Sequence, residues 1–519
     1  MDSYNRSSAP RYNEPERVHR KLRRTGVDKF GTFAMLLMLI CSLGLFARLV
    51  AVNMLSNLYL VVLMVILLIL NAIHVIVQMP LRRNKGGKLL CGVIAVILSG
   101  AMVYGIIAVG AVQSALSKIT GKLVEKEITA VIVMADDSAR SIEDVLDYKF
   151  GMLSNTDVQN TKALLAKVDE DTGARLEPQG FQSMSELVDA LYDDNVDAII
   201  LNEGYIPLLQ EMDGYQDFSD QVRIVYEFTT EHEVESIGKK GSLTKDCFVV
   251  YCSGIDARSD DVSVKSRSDV NIMAIVNPRT HQILLLNTPR DYYLPLHMNG
   301  ELDKLTHAGL YGISESMTTL SDLYGIDIPY YVRVNFNGLV DIVDALDGVD
   351  VESPCEFSTV RMEIPNENGN GFYRDSFYFP SGLIHINGRE ALAFSRERYA
   401  FSDGDNQRGR NQMAVIKAIV SKATSPAVLS NYQDLLTAVS DAFITNISYD
   451  QIASLVKMQL KDGSKWNITT YAVSGDGDTC YTYSAGNAWV MWPDNGMVNT
   501  AKDLIRQVMN GQTPIVPES

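Results

Sequence analysis

Residues 266–291 read SRSDVNIMAIVNPRTHQILLLNTPRD. Val270 to Val276 and Ile283 to Asn287 are apolar runs of strand length, and Asn277-Pro278-Arg279-Thr280 between them has turn chemistry. The segment is therefore expected to be a β-hairpin. Each end of it carries an arginine and an aspartate: Arg267 and Asp269 on entry, Arg290 and Asp291 on exit. The two ends of a hairpin are adjacent in space, so these charged pairs are expected to be neighbours.

Working outward, Phe248 to Tyr251 reads as a strand leading into Gly254-Ile255-Asp256-Ala257-Arg258. A helix is expected over 307–324, then a strand Tyr331 to Phe336 running into a helix 337–346 that closes at Asp347-Gly348. The last clear helix is expected at about 410–422. Just before it comes the richest charged array: Ser395-Arg396-Glu397-Arg398, then Asp405, Arg408, Arg410 and Gln412. On an extended segment Arg396 and Arg398 share a face. At a helix start Arg408 and Gln412 share one too.

Arginines at strand ends and helix starts of an acidic region point to an anionic ligand more than to scattered surface ion pairs. The guanidinium is a planar fork of donors with a permanent charge, suited to phosphate, and a pyrophosphate occupies several such forks at once. Carboxylates beside it suit Mg²⁺ or Mn²⁺ bridging to phosphate oxygens. Other chemistries fit poorly: the chain has no Gly-x-Ser-x-Gly elbow and no Walker loop. No pair of carboxylates is singled out for glycoside hydrolysis.

Upstream, Ile128 to Met134, Ala198 to Leu201 and Arg223 to Phe228 read as buried strands, with helices near 156–168 and 183–196. The alternation predicts a small α/β domain with a mainly parallel sheet. Glu231 to Lys245 reads as a linker.

Further upstream the composition changes. Residues 30–47, 58–80 and 89–117 contain no Asp, Glu, Lys or Arg, and each is about the length of a membrane-spanning helix. Eight basic residues between Arg6 and Lys29 precede the first stretch, and Arg82, Arg83, Lys85 and Lys88 separate the second from the third. The positive-inside rule then places the N-terminus in the cytoplasm and residues 118–519 outside. Residues 1–88 carry 13 Lys and Arg against 4 Asp and Glu, a balance of +9; the whole chain is −17, which leaves −26 for the rest. So acidic a region repels phosphate backbones, so nucleic-acid binding is not expected. Of six cysteines, Cys41 and Cys91 lie in apolar stretches, and Cys247, Cys252, Cys355 and Cys480 have no zinc-like spacing.

At the charged clusters the chain resembles the LytR-CpsA-Psr family of cell-envelope proteins. The resemblance rests on Ser266 to Asp269, Asn277-Pro278, Thr288 to Asp291, Lys304 to Ala308, Val334 to Gly338, Val343 to Val351, and the array from Arg396 to Gln412. It covers about 245–425 and, more loosely, the tail to about 510. Three spans with an intervening domain look most like the capsule-type CpsA branch. The implied organisation is a basic tail 1–29, three membrane helices within 30–117, an accessory α/β domain 118–240 and a larger α/β catalytic domain 245–512, its central sheet flanked by helices.

The resemblance also implies a reaction: transfer of a glycosyl phosphate from a polyprenyl-pyrophosphate carrier to a peptidoglycan hydroxyl. Arg267, Arg290, Arg396, Arg398, Arg408 and Gln412 would grip the pyrophosphate. Asp256 and Asp269 would hold Mg²⁺ or Mn²⁺, and Asp405 would orient the arginines or help deprotonate the acceptor. The lipid would lie in an apolar tunnel, with Leu339, Ile342, Val415 and Ile419 as candidate walls. The implied partners are the lipid-linked glycan, peptidoglycan, the membrane and capsule-synthesis machinery. A non-catalytic sensor of envelope polysaccharide synthesis and a lipid pyrophosphatase are the rival readings. The family's aspartate before its Phe-Gly stretch is Asn335 here; it is expected to be structural.

Overall fold

The computed structural model describes residues 25–517 apart from 53–56, 80–84, 121–123, 235–240, 256–260, 366–371, 426–427 and 429–438. The basic tail up to Arg24, the loop arginines Arg82 and Arg83, the metal candidate Asp256 and part of the expected linker lie outside the described residues.

The chain forms two compact units, Met1–Val109 and Gly110–Ser519. Three helices, Gly26–Val52, Asn57–Gln78 and Lys85–Ala111, are long and apolar enough to cross a membrane. Their few polar groups pair with one another: Lys88 Nζ with Asp28 at 2.8 Å, and Asn71 Nδ2 with Ser42 Oγ at 3.0 Å. Most of their large apolar side chains face outward, which suits a hydrocarbon solvent.

In the second unit a five-stranded sheet comes first. Phe150–Leu153, Gln179–Phe181, Ala198–Asn202 and Val222–Glu233 all run one way, and Val124–Met134 lies between the last two, antiparallel to both. The expected mainly parallel sheet is thus mixed. Helices Val158–Thr172 and Met184–Tyr192 return the chain to the same end for the parallel strands. Only a 3₁₀ turn, Ile142–Val145, separates Val124–Met134 from Phe150–Leu153 in the chain, and the first strand runs opposite to the others.

The hairpin forms as read, with strands Ser268–Asn277 and Gln282–Asn287 in register from Asn277↔Gln282 to Ile272↔Asn287. It is the centre of a six-stranded mixed sheet ordered Phe443–Thr445, Tyr330–Val334, Phe248–Ile255, Ser268–Asn277, Gln282–Asn287, Asn467–Ala472. Both faces are covered. Tyr251, Met273, Ile275 and Leu284 pack under helices Ile313–Tyr324 and Asn495–Met509. Phe248, Val250, Ile272 and Leu285 pack against Met413 and Val420 of helix Gly404–Ala423 and Leu455 of helix Tyr449–Asp462. Successive side chains alternate between faces, so burial on both explains the unbroken apolar run Ile283 to Leu286.

Two expected helices differ. The segment 307–324 is broken into Leu305–Ala308, a 3₁₀ turn and Ile313–Tyr324. The break is at Gly312, whose φ of +112° opens the backbone beside Glu125. Glu125, on the first strand of the five-stranded sheet, accepts the Ile313 amide at 2.9 Å and pairs with the fully buried Arg333 at 3.1 Å. The helix expected at 410–422 starts earlier, at Gly404, and ends at Ala423. The regions around the two sheets also share a core: Leu310, on the 3₁₀ turn Gly309–Tyr311, and Ala485 pack among Tyr205, Leu209 and Phe218.

Candidate functional site

The open end of the hairpin builds the site. On strand Ser268–Asn277, Ser268 is buried against Tyr251 Oη at 2.9 Å and Ser253 Oγ at 2.8 Å. Alternation then turns Asp269 the other way. Asp269 Oδ1 accepts from Arg290 Nη1 at 2.9 Å and from Thr306 Oγ1 at 3.1 Å. The expected adjacency of the two hairpin ends is therefore a direct ion pair.

Arg290 is almost encircled by acid groups. Its Nε lies 3.5 Å from Asp291 Oδ2, and its Nη2 3.2 Å from Glu211 Oε1. Lys304 Nζ bridges Asp291 Oδ1 and Glu211 Oε2, each at 3.3 Å. Arg267 Nη1 donates to Glu211 Oε1. Burial pushes the Asp269 carboxyl up, but the guanidiniums of Arg290, Arg267 and Arg408 outweigh it and hold it at about 2. Burial likewise raises Glu211, and Arg267, Lys304 and Arg290 bring it down to about 2. Asp269 in turn holds Arg290 above its ordinary value.

The second wall comes from two helices. Asn387 caps Gly388–Arg396, its side chain accepting from the Glu390 amide at 3.0 Å while Glu390 bonds back to the Asn387 amide at 2.8 Å. At the far end of that helix stands Arg396, its Cζ 4.3 Å from the centre of the Phe336 ring and its Nη1 2.6 Å from the Glu363 carbonyl. The expectation that Arg396 and Arg398 share one face of an extended segment does not hold, because Arg396 is helical. They reach the same cavity for another reason. Glu397 between them is fully buried and accepts the amides of Tyr399, Ala400 and Val360 at 2.6, 2.9 and 2.8 Å. Pinned inward, it leaves the flanking arginines on the other side.

On helix Gly404–Ala423, Arg408 pairs with Asp405 at 2.6 Å. Gly409 lets this helix approach the hairpin, since a Cβ there would overlap the Asn287 side-chain amide.

Arg290, Arg396, Arg398, Arg408, Gln412 and Asp269 line one cavity of about 310 Å³. Its remaining wall is largely apolar, including Ile255, Val270, Phe336, Leu339, Met362 and Leu392. Arg267 and Asp405 adjoin this set through Glu211 and Arg408. Of the proposed tunnel residues, Leu339 faces the cavity, whereas Ile342, Val415 and Ile419 pack in the core beneath it. Asn335 caps helix Phe336–Ala345 by accepting the Gly338 amide at 2.8 Å, the structural part expected of it. Sequence reading placed Asp291 beside Arg290 without a role, and it missed Glu211, Lys304, Thr306 and Glu397 as parts of the site. Asp291 and Lys304 lay within recognised blocks, and Arg-Glu-Arg spacing hinted at Glu397, but nothing local marked Glu211.

The cavity can hold an anion against a fan of guanidiniums with an apolar chain beside it. Among the described residues no three His, Cys, Asp or Glu side chains group as a metal site. Among the described residues Asp269 is the carboxylate that lines the cavity, which fits a magnesium-type ion that takes one or two carboxylates and fills its shell with water and substrate phosphate.

The LytR_cpsA_psr family model matches residues 215–499. The polyisoprenyl-teichoic acid–peptidoglycan teichoic acid transferase TagU of Enterococcus faecalis is 36% identical over 242 residues, covering 46% of this chain and 74% of that protein. The TagU of Bacillus anthracis (strain CDC 684 / NRRL 3495) is 31% identical over 265 residues, covering 51% and 80% respectively. Among solved structures, B. subtilis TagV superposes with a TM-score of 0.41 at 24% identity, over 52% of this chain and all of that one. The chain belongs to the LytR_cpsA_psr family.

Proposed function

We propose that this protein transfers a glycopolymer, as its glycosyl phosphate, from a polyprenyl-pyrophosphate carrier to a hydroxyl of peptidoglycan. The observation that carries the reading is the convergence of Arg290, Arg396, Arg398 and Arg408 on one cavity whose other wall is apolar. Guanidiniums that meet on a pyrophosphate neutralise charge as the anhydride breaks, and phosphoryl transfer needs mainly that and positioning. In the step, the acceptor oxygen forms a bond to the sugar-side phosphorus while the anhydride bond to the lipid phosphate breaks. The polyprenyl phosphate leaves, and the acceptor proton is released. Arg290, Arg396, Arg398, Arg408 and Gln412 bind the pyrophosphate, joined by Arg267 at the rim. Asp405 orients Arg408. Asp269, with Asp256, would hold a Mg²⁺ or Mn²⁺ ion, which when bound supplies further charge neutralisation at the phosphates.

The basic tail and loop support a cytoplasmic N-terminus, with the site on the outer surface among peptidoglycan chains. The two TagU relatives named above are teichoic acid transferases. Three spans and an additional sheet domain favour a capsular polysaccharide, or a related polymer, as the cargo here, with capsule-synthesis machinery as a neighbour.

The test uses the full chain in detergent with a lipid-pyrophosphate glycan, peptidoglycan and Mg²⁺. Polymer covalently attached to peptidoglycan is expected, with Arg267→Ala and Arg398→Ala reducing it at least tenfold. Release of free phosphorylated glycan to water instead identifies a pyrophosphatase. Binding without turnover identifies a sensor.

A further inference from the structure

Glu211 is the unexpected member of the site. It stands on the turn after Ile206–Leu209, in the five-stranded-sheet region, whereas among the described residues every other charged group of the site lies beyond residue 266. Leu208 and Leu209 are fully buried and anchor that turn. The Glu211 side chain projects from it onto three cations: Arg267, Arg290 and Lys304.

The donors of Arg290 are divided among carboxylates. Nη1 serves Asp269, Nε faces Asp291, and Nη2 serves Glu211. Asp269 and Asp291 belong to the hairpin itself and move only with it. Among the described residues the ion pair of Arg267 is with Glu211 alone, and the side chains of both Arg267 and Lys304 are largely buried. Three cations therefore face three carboxylates, and only one of the three carboxylates comes from outside the hairpin.

A carboxylate and a phosphate present the same paired oxygens to a guanidinium fork, so they compete for it. An incoming pyrophosphate that reaches Arg267 and the Nη2 edge of Arg290 meets the Glu211 oxygens there. Two anions on the same donors repel strongly in a poorly solvated site. The leucine anchors fix the backbone of the turn, but the glutamate side chain is a quarter exposed and has a path to solvent.

We propose that the Glu211 carboxylate occupies the place of a donor phosphate oxygen on Arg267, Arg290 and Lys304, and that the lipid pyrophosphate binds by displacing it. Glu211 is then a specificity-determining residue: it keeps the arginines paired without substrate and bars anions too weakly charged to evict it. This rests on the reading of the cavity as a pyrophosphate site. The alternative is that Glu211 holds the cations in place for the donor, and it predicts the opposite sign.

The experiment is calorimetric titration of the full chain in detergent, with Mg²⁺, using farnesyl pyrophosphate and, separately, inorganic phosphate. For Glu211→Gln and Glu211→Ala, farnesyl pyrophosphate is expected to bind at least about tenfold more tightly than to the unaltered chain, the effect of removing one charge-assisted competitor. Inorganic phosphate is expected to gain measurable affinity. The glutamine keeps the side-chain shape and the alanine removes it, and thermal melts confirm that both are folded. Unchanged or weaker binding in both variants overturns the proposal. Arg290→Ala separates the two layers: if it abolishes binding while the Glu211 variants gain nothing, only the displacement idea fails. If farnesyl pyrophosphate binds none of the proteins, or binds Arg290→Ala normally, the pyrophosphate reading fails and the inference with it.

Discussion

Arg290 Nη1 lies 2.9 Å from Asp269 Oδ1, joining the two chain ends of the hairpin at the mouth of the cavity. The pair ties stability to function. Removing Arg290 leaves Asp269 and Asp291 buried beside each other without their shared cation. Losing one partner of a buried pair costs about 3 kcal/mol. Arg290→Ala is therefore expected to lower both the melting temperature and transfer. Arg396→Ala, whose guanidinium rests on Phe336, is expected to reduce transfer with a stability change of about 1 kcal/mol or less. Melting curves paired with transfer assays check the contrast. Equal destabilisation by both would contradict it.

Acid should weaken the same corner. The Asp269 carboxyl is held at about 2, below its ordinary value of 3.8. A depressed carboxylate stabilises the fold above its unfolded pKa and loses that contribution as pH falls through the folded one. The window is thus from about pH 4 down to about 2, and the contribution is on the order of 2 kcal/mol. Asp269→Asn is expected to be less stable than the unaltered protein at pH 7, with the gap closing below pH 3. Denaturant titrations at several pH values measure it, and a pH-independent gap would refute the assignment.

The opposite sign is expected at Asp157. Burial chiefly raises this carboxyl to about 6, with the Glu127 charge adding to it and the Asn160 amide opposing. A raised carboxyl favours folding while protonated, and the benefit is lost as pH rises from about 4 through 6. Asp157 also sits at φ +59°, a conformation asparagine tolerates. Asp157→Asn should raise stability at pH 7.5 by about 1–2 kcal/mol and leave it nearly unchanged at pH 4. Urea midpoints at the two pH values decide it.

Gly388 begins the helix that ends at Arg396, and a Cβ there would overlap the Val340 backbone carbonyl. Its amide also donates to Asp344 Oδ1 at 2.7 Å. Gly388→Ala should push the helix outward, costing about 1–3 kcal/mol as overpacking does, and should displace Arg396 from the cavity. Transfer should fall more than for Gly463→Ala, made at a helix C-terminus with nothing near its Cβ. Parity between the two would sink this account.

These cases show what was readable in advance. The hairpin announced itself through two apolar runs and a turn, and its geometry made Arg290 and Asp269 neighbours without further information. Asn335 was expected to be structural, but its cap was not foreseen, because the strand was read on through Phe336 whereas it ends at Val334. The direction of Val124–Met134 was not readable, since apolar content marks a strand but not its orientation. The break before Ile313 depends on Glu125, far away in sequence, needing room beside Gly312. Glu211 was invisible for the same reason: it meets Arg267 only through the packing of one sheet region on another, and no spacing encodes that.

The arrangement of the central sheet also draws on remote parts of the chain. Asn277 Nδ2 donates to the Val508 carbonyl 231 residues later, and Leu504 and Ile505 cover the face that bears Met273 and Leu284. The strand Asn467–Ala472 closes the ladder beside Gln282–Asn287 from a similar distance. Contacts so remote form late, after loop-closure entropy has been met. The helix Asn495–Met509 thus backs the hairpin from the face that bears Met273 and Leu284, while the cavity is lined by residues no later than Gln412.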